Sequence, residues 1–551
     1  MNGSSTSASS MQPDLIVVGS GGGGLTAALS AARRGLSVLV VEKTELVGGT
    51  TAISGGSVWV PANHRMHEVG VPDSAADALA YMQACVGPEA DESHLIALAE
   101  HSAPAVLELE RAGVMLRPFP TVGGGIDYRP WLPGYRHGGR GMSSPRVELS
   151  ELGSWASRLR LTHTSGWDFD PLDYFAKRMH LDPPGTWRPS AEQRDGRLVA
   201  VGRGAALVAQ LLAACLRQGV QVRTNARADR LVLDGDRVAG VVVNGAALDA
   251  ATGVVLATGG YSPDVQLRSL WLGRMIDFSC ELESNSGDGH RMGLAAGADL
   301  GGMGDAWWMP HIPVGVENAV VNSAGSREDR MLPHTMMVDA TGRRFMNEAL
   351  NYHDAGETFP VRGGAIQHYP AWLLFDQEGV ERYAILTWKV EGSRQAGADW
   401  YHSAATVAEL APQLGIEPAV LTRSVERFNG FARSGVDEDF RRGENPWDLA
   451  WGDPACTPNP CLAPLDRGPF HAVRVHPGAL STRGGLRVDD RGRVLGVTDG
   501  QPIAGLFAVG NCSNAGPAGA YPGPGATLGA ALTFGYLAGQ AAAETHASLR
   551  P

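Results

Sequence analysis

Three glycines and an acid are the first residues in this chain whose spacing could do chemistry. Gly19-x-Gly21-x-x-Gly24 follows the run DLIVVGS at 14–20, and Glu42 stands 18 residues beyond the last glycine. In that pattern one glycine makes a tight turn, one lets the backbone approach a pyrophosphate, and one lets a helix close on a strand. The carboxylate then accepts from a ribose hydroxyl. Ser20 inside the turn and Lys43 beside the acid join the candidate set. The elements that must hold them are legible on either side. The β-branched residues before Gly19 predict a strand buried on both faces. LTAALSAARRG has helical spacing and stops at Gly35, and SVLVV at 37–41 predicts a second strand that delivers Glu42. Phosphates would sit at the helix N-terminus, where free N–H groups and the dipole favour anions. A lone GxGxxG says little, but strand, glycines, helix, strand and acid in this order predict a dinucleotide site.

The next segment narrows the dinucleotide. Gly48-Gly49-Thr50-Thr51-Ala52-Ile53-Ser54-Gly55-Gly56 resembles the loop that runs along the ribityl chain and isoalloxazine in the fumarate reductase/succinate dehydrogenase flavoprotein superfamily. The resemblance implies FAD, with Gly49, Thr50, Thr51, Ser54, Gly55 and Gly56 along it. Some relatives attach the flavin through a His in this loop. Here the nearest is His64, after Pro61, which implies non-covalent binding. The helical pattern from Gly202, the β-rich runs to VVLATGG at 254–260, and Gly287-Asp288-Gly289-His290 resemble the rest of the same domain. They add Ala228, Thr258, Gly259 and Asp288 to the cofactor set, and the C-terminal segment adds Gly510, Asn511, Thr527 and Leu528. The implied fold is α/β: a Rossmann-like FAD-binding domain at 13–308 and 478–551, an inserted α+β cap at 309–477, and a Ser-rich tail at 1–12. The cap is marked by more Trp and Pro and by the end of the parallel-strand pattern. Residues 112–200 are Gly/Pro-rich and irregular, which fits a lid or an active-site wall.

Carboxylate reductases of that superfamily carry a proton-donating Arg in a cap segment G-x-R-F-x-N-E-x-x-x-R. Here the segment runs from Gly342 through Asn347 and Glu348 to Tyr352, so a phenol replaces the guanidinium. No Arg or Lys occurs from Gly510 to Gln540, where relatives hold a substrate carboxylate. A dicarboxylate would leave its charges unpaired, at a cost of several kcal/mol. Fumarate is therefore not the expected substrate.

Tyr521-Pro522-Gly523-Pro524-Gly525-Ala526-Thr527-Leu528-Gly529 resembles the 3-ketosteroid Δ1-dehydrogenases, as do Asn-Glu-x-x-x-Tyr in the cap and Ile126-Asp127-Tyr128-x-Pro130. The resemblance implies that the Tyr521 hydroxyl and the Gly525 N–H polarise a ketone oxygen. Tyr352 takes the proton at C2, flavin N5 takes the hydride at C1, and Tyr128 supports the forming phenolate and relays the proton outward. A free tyrosine titrates near pH 10, so an alkaline optimum is expected. Tyr135 is an alternative to Tyr128. His353 is an alternative base, with a solvated loop histidine as its plainer reading. Trp307, Trp308 and Met309 read as core packing before pocket wall. Two other reactions remain open, Δ4-(5α) desaturation and enone reduction. A third reading, a flavin electron-transfer subunit, would not need the tyrosine hydroxyls.

Composition sets outer bounds. The 551 residues carry a net charge of −12, and no long basic run offers polyanion binding, so no nucleic-acid partner is expected. Six cysteines without a C-x-x-C pair predict reduced thiols, a cytoplasmic setting and no metal. No run of about 18 apolar residues predicts a membrane span, so contact with a membrane would be peripheral. The apolar run 526–543, broken by glycines, predicts a buried helix. The expected partners are a 3-ketosteroid and an external quinone-like electron acceptor.

Overall fold

Every residue of Leu15–Val18 (β1) is buried, and alternate side chains face opposite cores: Leu15 and Val17 one way, Ile16 and Val18 the other. The same division holds for Val38–Val41 (β2), as expected of a strand covered on both faces. A computed structural model of the chain describes residues 12–87, 90–121, 125–161, 171–181, 191–194, 197–272, 276, 278–317, 320–325, 329–362, 365–383 and 400–550. All but Gln12 of the expected tail therefore lies outside the described residues, as do parts of 112–200.

Around these strands a sheet forms with Gln221–Arg223 (β3), Gly253–Leu256 (β4), Arg493–Leu495 (β5) and Pro502–Ala508 (β6), in the order β5-β6-β4-β1-β2-β3. Its pairings are parallel except for the β5–β6 edge. The chain leaves β1 for β2 on one side while β4 pairs on the other. The ligand crevice of such a sheet lies at the carboxyl ends on either side of that switch. Helix Gly22–Ala32 (α1) starts there. Gly19 has φ +108°, and a Cβ on it would lie 2.3 Å from the Ala257 carbonyl oxygen. Only glycine makes this turn.

Helix Ala526–Leu549 (α3) lies along α1. A Cβ on Gly535 would meet the Gly23 carbonyl oxygen at 2.5 Å, and one on Gly539 the Ala27 oxygen at 2.7 Å. Gly535 and Gly539 are thus the surface on which the two helices touch, while Gly529 admits the Trp59 backbone. α3 carries the C-terminal segment back to the start of the first strand.

Residues 335–475 bring together an antiparallel sheet, with Thr335–Asp339, Ala371–Asp376, Phe470–Val475 and Tyr401–Ala404 side by side. Met336, Val338, Trp372 and Leu374 pack on helix Pro418–Ser434 through Leu421, Val425 and Phe428. The opposite face packs Met337, Leu373 and Phe375 on Ala355 and Phe359, in and just after helix Tyr352–Glu357 (α2). The segment leading into α2 is held by ions. Arg344 bonds Glu348 at 2.8 Å and Asp437 at 2.8 Å, and Arg442 reaches Glu348 at 3.2 Å, all with side chains at most 4% exposed. Removing one member of such a group costs about 3–5 kcal/mol, because its partner is left charged and dry.

Candidate active site

A cavity of about 690 Å³ opens at the carboxyl ends of β1, β2 and β4 and runs on to the tyrosines of α2 and the loop before α3. Its wall contains all the expected cofactor residues and the four expected catalytic residues, Tyr128, Tyr352, Tyr521 and Gly525; Tyr135, His353 and Trp308 are not part of it. At one end are Gly19, Ser20, Gly21, Gly24, Glu42, Lys43, Ala228 and Asp288. Along its length lie Gly49, Thr50, Thr51, Ser54, Gly55, Gly56, Thr258, Gly259, Gly510 and Asn511. At the other end are Thr527, Leu528, Tyr128, Tyr352, Tyr521 and Gly525.

The glycine end fits a dinucleotide. A Cβ on Gly21 would find Thr51 Oγ1 at 3.6 Å and project into the space that a pyrophosphate needs. A Cβ on Gly24 would collide with the Gly19 carbonyl oxygen at 2.3 Å, so the third glycine serves helix–strand contact. Glu42 is buried, and its Oε2 accepts from the Ser20 N–H (3.2 Å) and Oγ (2.7 Å). Its Oε1 accepts from the Thr44 N–H at 3.0 Å and lies 3.0 Å from Thr44 Oγ1, whose one proton also has the Leu46 carbonyl at 2.8 Å. That shared proton leaves a lone pair on Oε1 able to take a ribose hydroxyl. Lys43 and Asp288 satisfy each other at 2.7 Å.

Sequence reasoning missed several lining residues. Arg160 donates to Thr44 Oγ1 at 2.9 Å beside Glu42, from a stretch with no periodicity to read. Glu281 accepts from the Gly260 and Ser262 N–H groups at 2.9 and 3.0 Å and from Asn285, whose Nδ2 also reaches Thr50 Oγ1 at 3.1 Å. This pair props the flavin loop from an irregular segment that carries no motif. Trp307 and Met309 also line the cavity, whereas Trp308 packs with Tyr261 and Leu267. All three are core, as expected, and two of them also face the cavity. Successive strand residues point to opposite faces, and one face here is the cavity wall.

At the far end three tyrosine rings meet. Tyr128 and Tyr352 are 5.5 Å apart between centroids and nearly perpendicular, Tyr352 and Tyr521 are 5.0 Å apart, and Tyr128 and Tyr521 stack at 5.6 Å. All three are buried, at 2%, 5% and 3% exposure in chain order. Tyr135 has no ring contact with the trio among the described residues; burial pushes its phenol up to about 12. Thr527 Oγ1 donates to the Tyr521 hydroxyl at 3.2 Å, which leaves the Tyr521 proton for another acceptor. Trp307 meets Tyr521 edge-on at 5.3 Å, and its Nε1 donates to Asn511 Oδ1 at 3.0 Å.

Tyr352 is the first residue of α2. Asn351 caps that helix by accepting the Asp354 N–H at 3.0 Å, so the asparagine before the tyrosine has a structural job. Burial, with Tyr128 and Tyr521 beside it, raises the Tyr352 phenol well above the ordinary tyrosine value. His353 is not a solvated loop residue: it is 1% exposed, and burial lowers its imidazole to about 4. Its Nδ1 accepts the Trp308 N–H at 3.2 Å. The neutral ring's single lone pair is thereby occupied, so it is a poor base.

Gly525 sits at the N-cap of α3 with φ +93°, and a Cβ there would lie 2.3 Å from the Ser57 carbonyl. Its N–H belongs to a helix start, where the dipole favours negative charge. The cations in the cavity wall are Lys43, Arg160 and Arg203; Lys43 and Arg160 lie at the Glu42 end, and Arg203 opens a helix against Gly56. Nearby, Arg483 is buried over the Trp307 ring and neutralised by Asp305 at 3.1 Å. Among the described residues there is no cluster of metal ligands and no helix long and apolar enough to cross a membrane.

The FAD binding domain family model matches residues 14–528. A 4-oxocyclohexanecarboxylate 2-dehydrogenase of Sinomonas cyclohexanicum is 40% identical, over 96% of this chain and 92% of its own. A 3-oxosteroid 1-dehydrogenase of Mycolicibacterium smegmatis is 34% identical over 98% of both chains. The crystal structure of a 3-ketosteroid Δ1-dehydrogenase from Sterolibacterium denitrificans, in complex with 1,4-androstadiene-3,17-dione, superposes with a TM-score of 0.84 at 34% identity, covering 97% of this chain and 99% of that one.

Proposed function

For a chain that belongs to the FAD binding domain family and is an FAD-dependent dehydrogenase acting on carbon–carbon bonds, we propose desaturation of a cyclic ketone next to its carbonyl. The substrate is a 3-ketosteroid, and the new double bond joins C1 and C2. The observation that carries this reading is the trio of buried phenols that meet at one end of the cavity.

The Tyr521 hydroxyl, supplied with a hydrogen bond by Thr527, donates to the ketone oxygen, and the Gly525 N–H is the second donor. Together they hold the charge that moves onto that oxygen when the neighbouring C–H bond breaks. Each such donor is worth about 3–4 kcal/mol in a preorganised dry site. Tyr352 takes the proton from C2, and its edge-on contact with Tyr128 places a second hydroxyl where the phenolate forms. FAD, when bound, supplies the acceptor for the hydride that leaves C1 with the second electron pair. The close fit of the rings keeps water from the reacting carbons. An external quinone-like carrier then takes up the electrons.

A second reading has a specific observation in its favour. The relative that is 40% identical acts, by its name, on a single-ring keto acid. The chemistry is the same, but a carboxylate needs a cation; Lys43 and Arg160 lie at the Glu42 end, and Arg203 lies against Gly56, whose neighbour Ser57 meets Gly525. The test mixes the purified holoenzyme, without oxygen, with androst-4-ene-3,17-dione or with 4-oxocyclohexanecarboxylate. Loss of the flavin's visible absorbance with the steroid, with the 1,4-diene as product, is expected. Bleaching by the keto acid alone transfers the assignment to the second reading, and bleaching by neither rejects both.

A further inference from the structure

An ion pair ties together the two segments that carry the acid–base phenols. Arg129 follows Tyr128, and Asp354 lies in the first turn of α2, two residues after Tyr352. The guanidinium meets the carboxylate as a fork, Nε to Oδ2 at 3.2 Å and Nη2 to Oδ1 at 2.8 Å, with side chains 18% and 15% exposed. Arg129 is anchored from behind as well. Its N–H donates to the Tyr81 hydroxyl at 3.1 Å and its Nη1 to the Cys85 carbonyl at 2.5 Å. The Tyr81 hydroxyl donates in turn to the Pro522 carbonyl at 2.8 Å, and the Tyr128 N–H donates to that same oxygen at 3.0 Å. Three segments distant in sequence, at 128–129, 351–354 and 521–522, are thus joined around one knot, and each carries or adjoins one phenol.

We propose that the Arg129–Asp354 pair is a positioning device for proton abstraction: it fixes the spacing and angle of Tyr128 against Tyr352 without touching substrate. This rests on Tyr352 being the base. The six-residue α2 is too short to hold its own orientation, since isolated helices of that length do not persist in water. Its cap, Asn351, fixes where the helix starts, and Ala355 and His353 seat it on the sheet and on the Trp308 N–H, but none of these contacts reaches the loop of Tyr128. The bidentate contact on the first turn supplies that tie, because both oxygens of Asp354 must face the loop that holds Tyr128. Geometry at a proton transfer is unforgiving: a misplacement of about 1 Å can cost roughly 100-fold in rate.

The experiment compares Asp354→Asn, Arg129→Leu and Arg129→Lys with the unaltered holoenzyme in anaerobic flavin reduction, using ketone with hydrogen or deuterium at C2. The limiting rate is expected to fall about 10–100-fold in Asp354→Asn and Arg129→Leu. Ketone affinity should stay nearly constant, the C2 isotope effect should grow, and Arg129→Lys should recover part of the loss. Tyr128→Phe combined with Asp354→Asn should be no slower than Tyr128→Phe alone, because both remove the same contact. Losses that multiply, an unchanged isotope effect, or rates that fall only in step with FAD content would overturn the proposal. Should the unaltered enzyme reduce its flavin with no ketone, the functional reading fails separately. Tyrosinate difference absorbance then judges the pair: Asp354→Asn, which leaves the Arg129 charge unpaired, should bring ionisation of buried phenols to lower pH, Arg129→Leu, which leaves the Asp354 carboxylate unpaired, should move it to higher pH, and unchanged titrations overturn the proposal.

Discussion

A phenol is a weak acid, and burial makes it weaker. The Tyr352 phenol is raised well above its ordinary value by desolvation first and by Tyr128 and Tyr521 second. The working base is the deprotonated form, so its population grows with each step up in pH below that raised value. Flavin reduction by ketone should therefore accelerate through the neutral and alkaline range, approaching tenfold per pH unit, with no plateau near neutrality. A plateau below pH 8 in pre-steady-state rates would assign the base to another group. Tyr352→Phe should slow reduction by about 10²–10⁴-fold, with FAD absorbance and thermal midpoint unchanged. The same residue shows what sequence alone could carry. That a phenol stands where relatives place a guanidinium is visible in the string. That His353 beside it has its lone pair on the Trp308 N–H depends on a strand 45 residues earlier, and no local pattern reports that.

At the scale of elements, glycines decide how closely the working parts approach. The turn of β1 into α1 and the two faces of β1 were legible, because both follow from local residue types. The C-terminal run 526–543 predicted a buried helix, and α3 is one. The prop formed by Glu281 and Asn285 was not legible, since it depends on where an irregular loop lands against Thr50. Gly525 joins local and tertiary demands: it needs positive φ, and its missing side chain admits the Ser57 carbonyl. Gly525→Ala must both strain the backbone and push α3 from the loop that carries Ser57. The expected result is a destabilisation of more than 1 kcal/mol, read as a lower urea midpoint, together with a loss of at least tenfold in turnover. Gly519→Ala is the control, because Gly519 has φ +66° in the same loop but nothing within 4 Å of an added Cβ. It should share the strain without the loss of turnover. Equal turnover losses in the two variants would mean that loop strain, and not the approach at Gly525, sets the rate.

Across the whole molecule, burial keeps two histidines neutral: one lies against the Tyr261 and Trp271 rings, the other accepts the Trp308 N–H. His290, in helix Asp288–Ala295, and His353, in α2, are both lowered from 6.5 to about 4, with desolvation as the largest cause. Unfolding exposes each ring to water, where it takes up a proton near pH 6.5. The folded pKa lies below the unfolded one, so the stabilisation is fully present above about pH 6.5 and is lost as pH falls toward 4. Linkage gives a loss of about 2 kcal/mol for each ring by pH 5, or roughly 4 for the pair. Carboxylates with ordinary unfolded values near 4 contribute little above pH 5, so the interval from 6.5 to 5 reports mainly on histidines. Urea unfolding of the holoenzyme at half-unit steps across that interval should show stability falling with a slope to which these rings contribute about two protons, and to which His94, also buried and lowered by desolvation, adds. His290→Asn should lower stability at pH 7 yet reduce the acid slope by about one proton, and His353→Asn should do the same. An acid slope that neither replacement changes would mean that these rings are already protonated in the folded protein, and the dry environments assigned to them would be wrong.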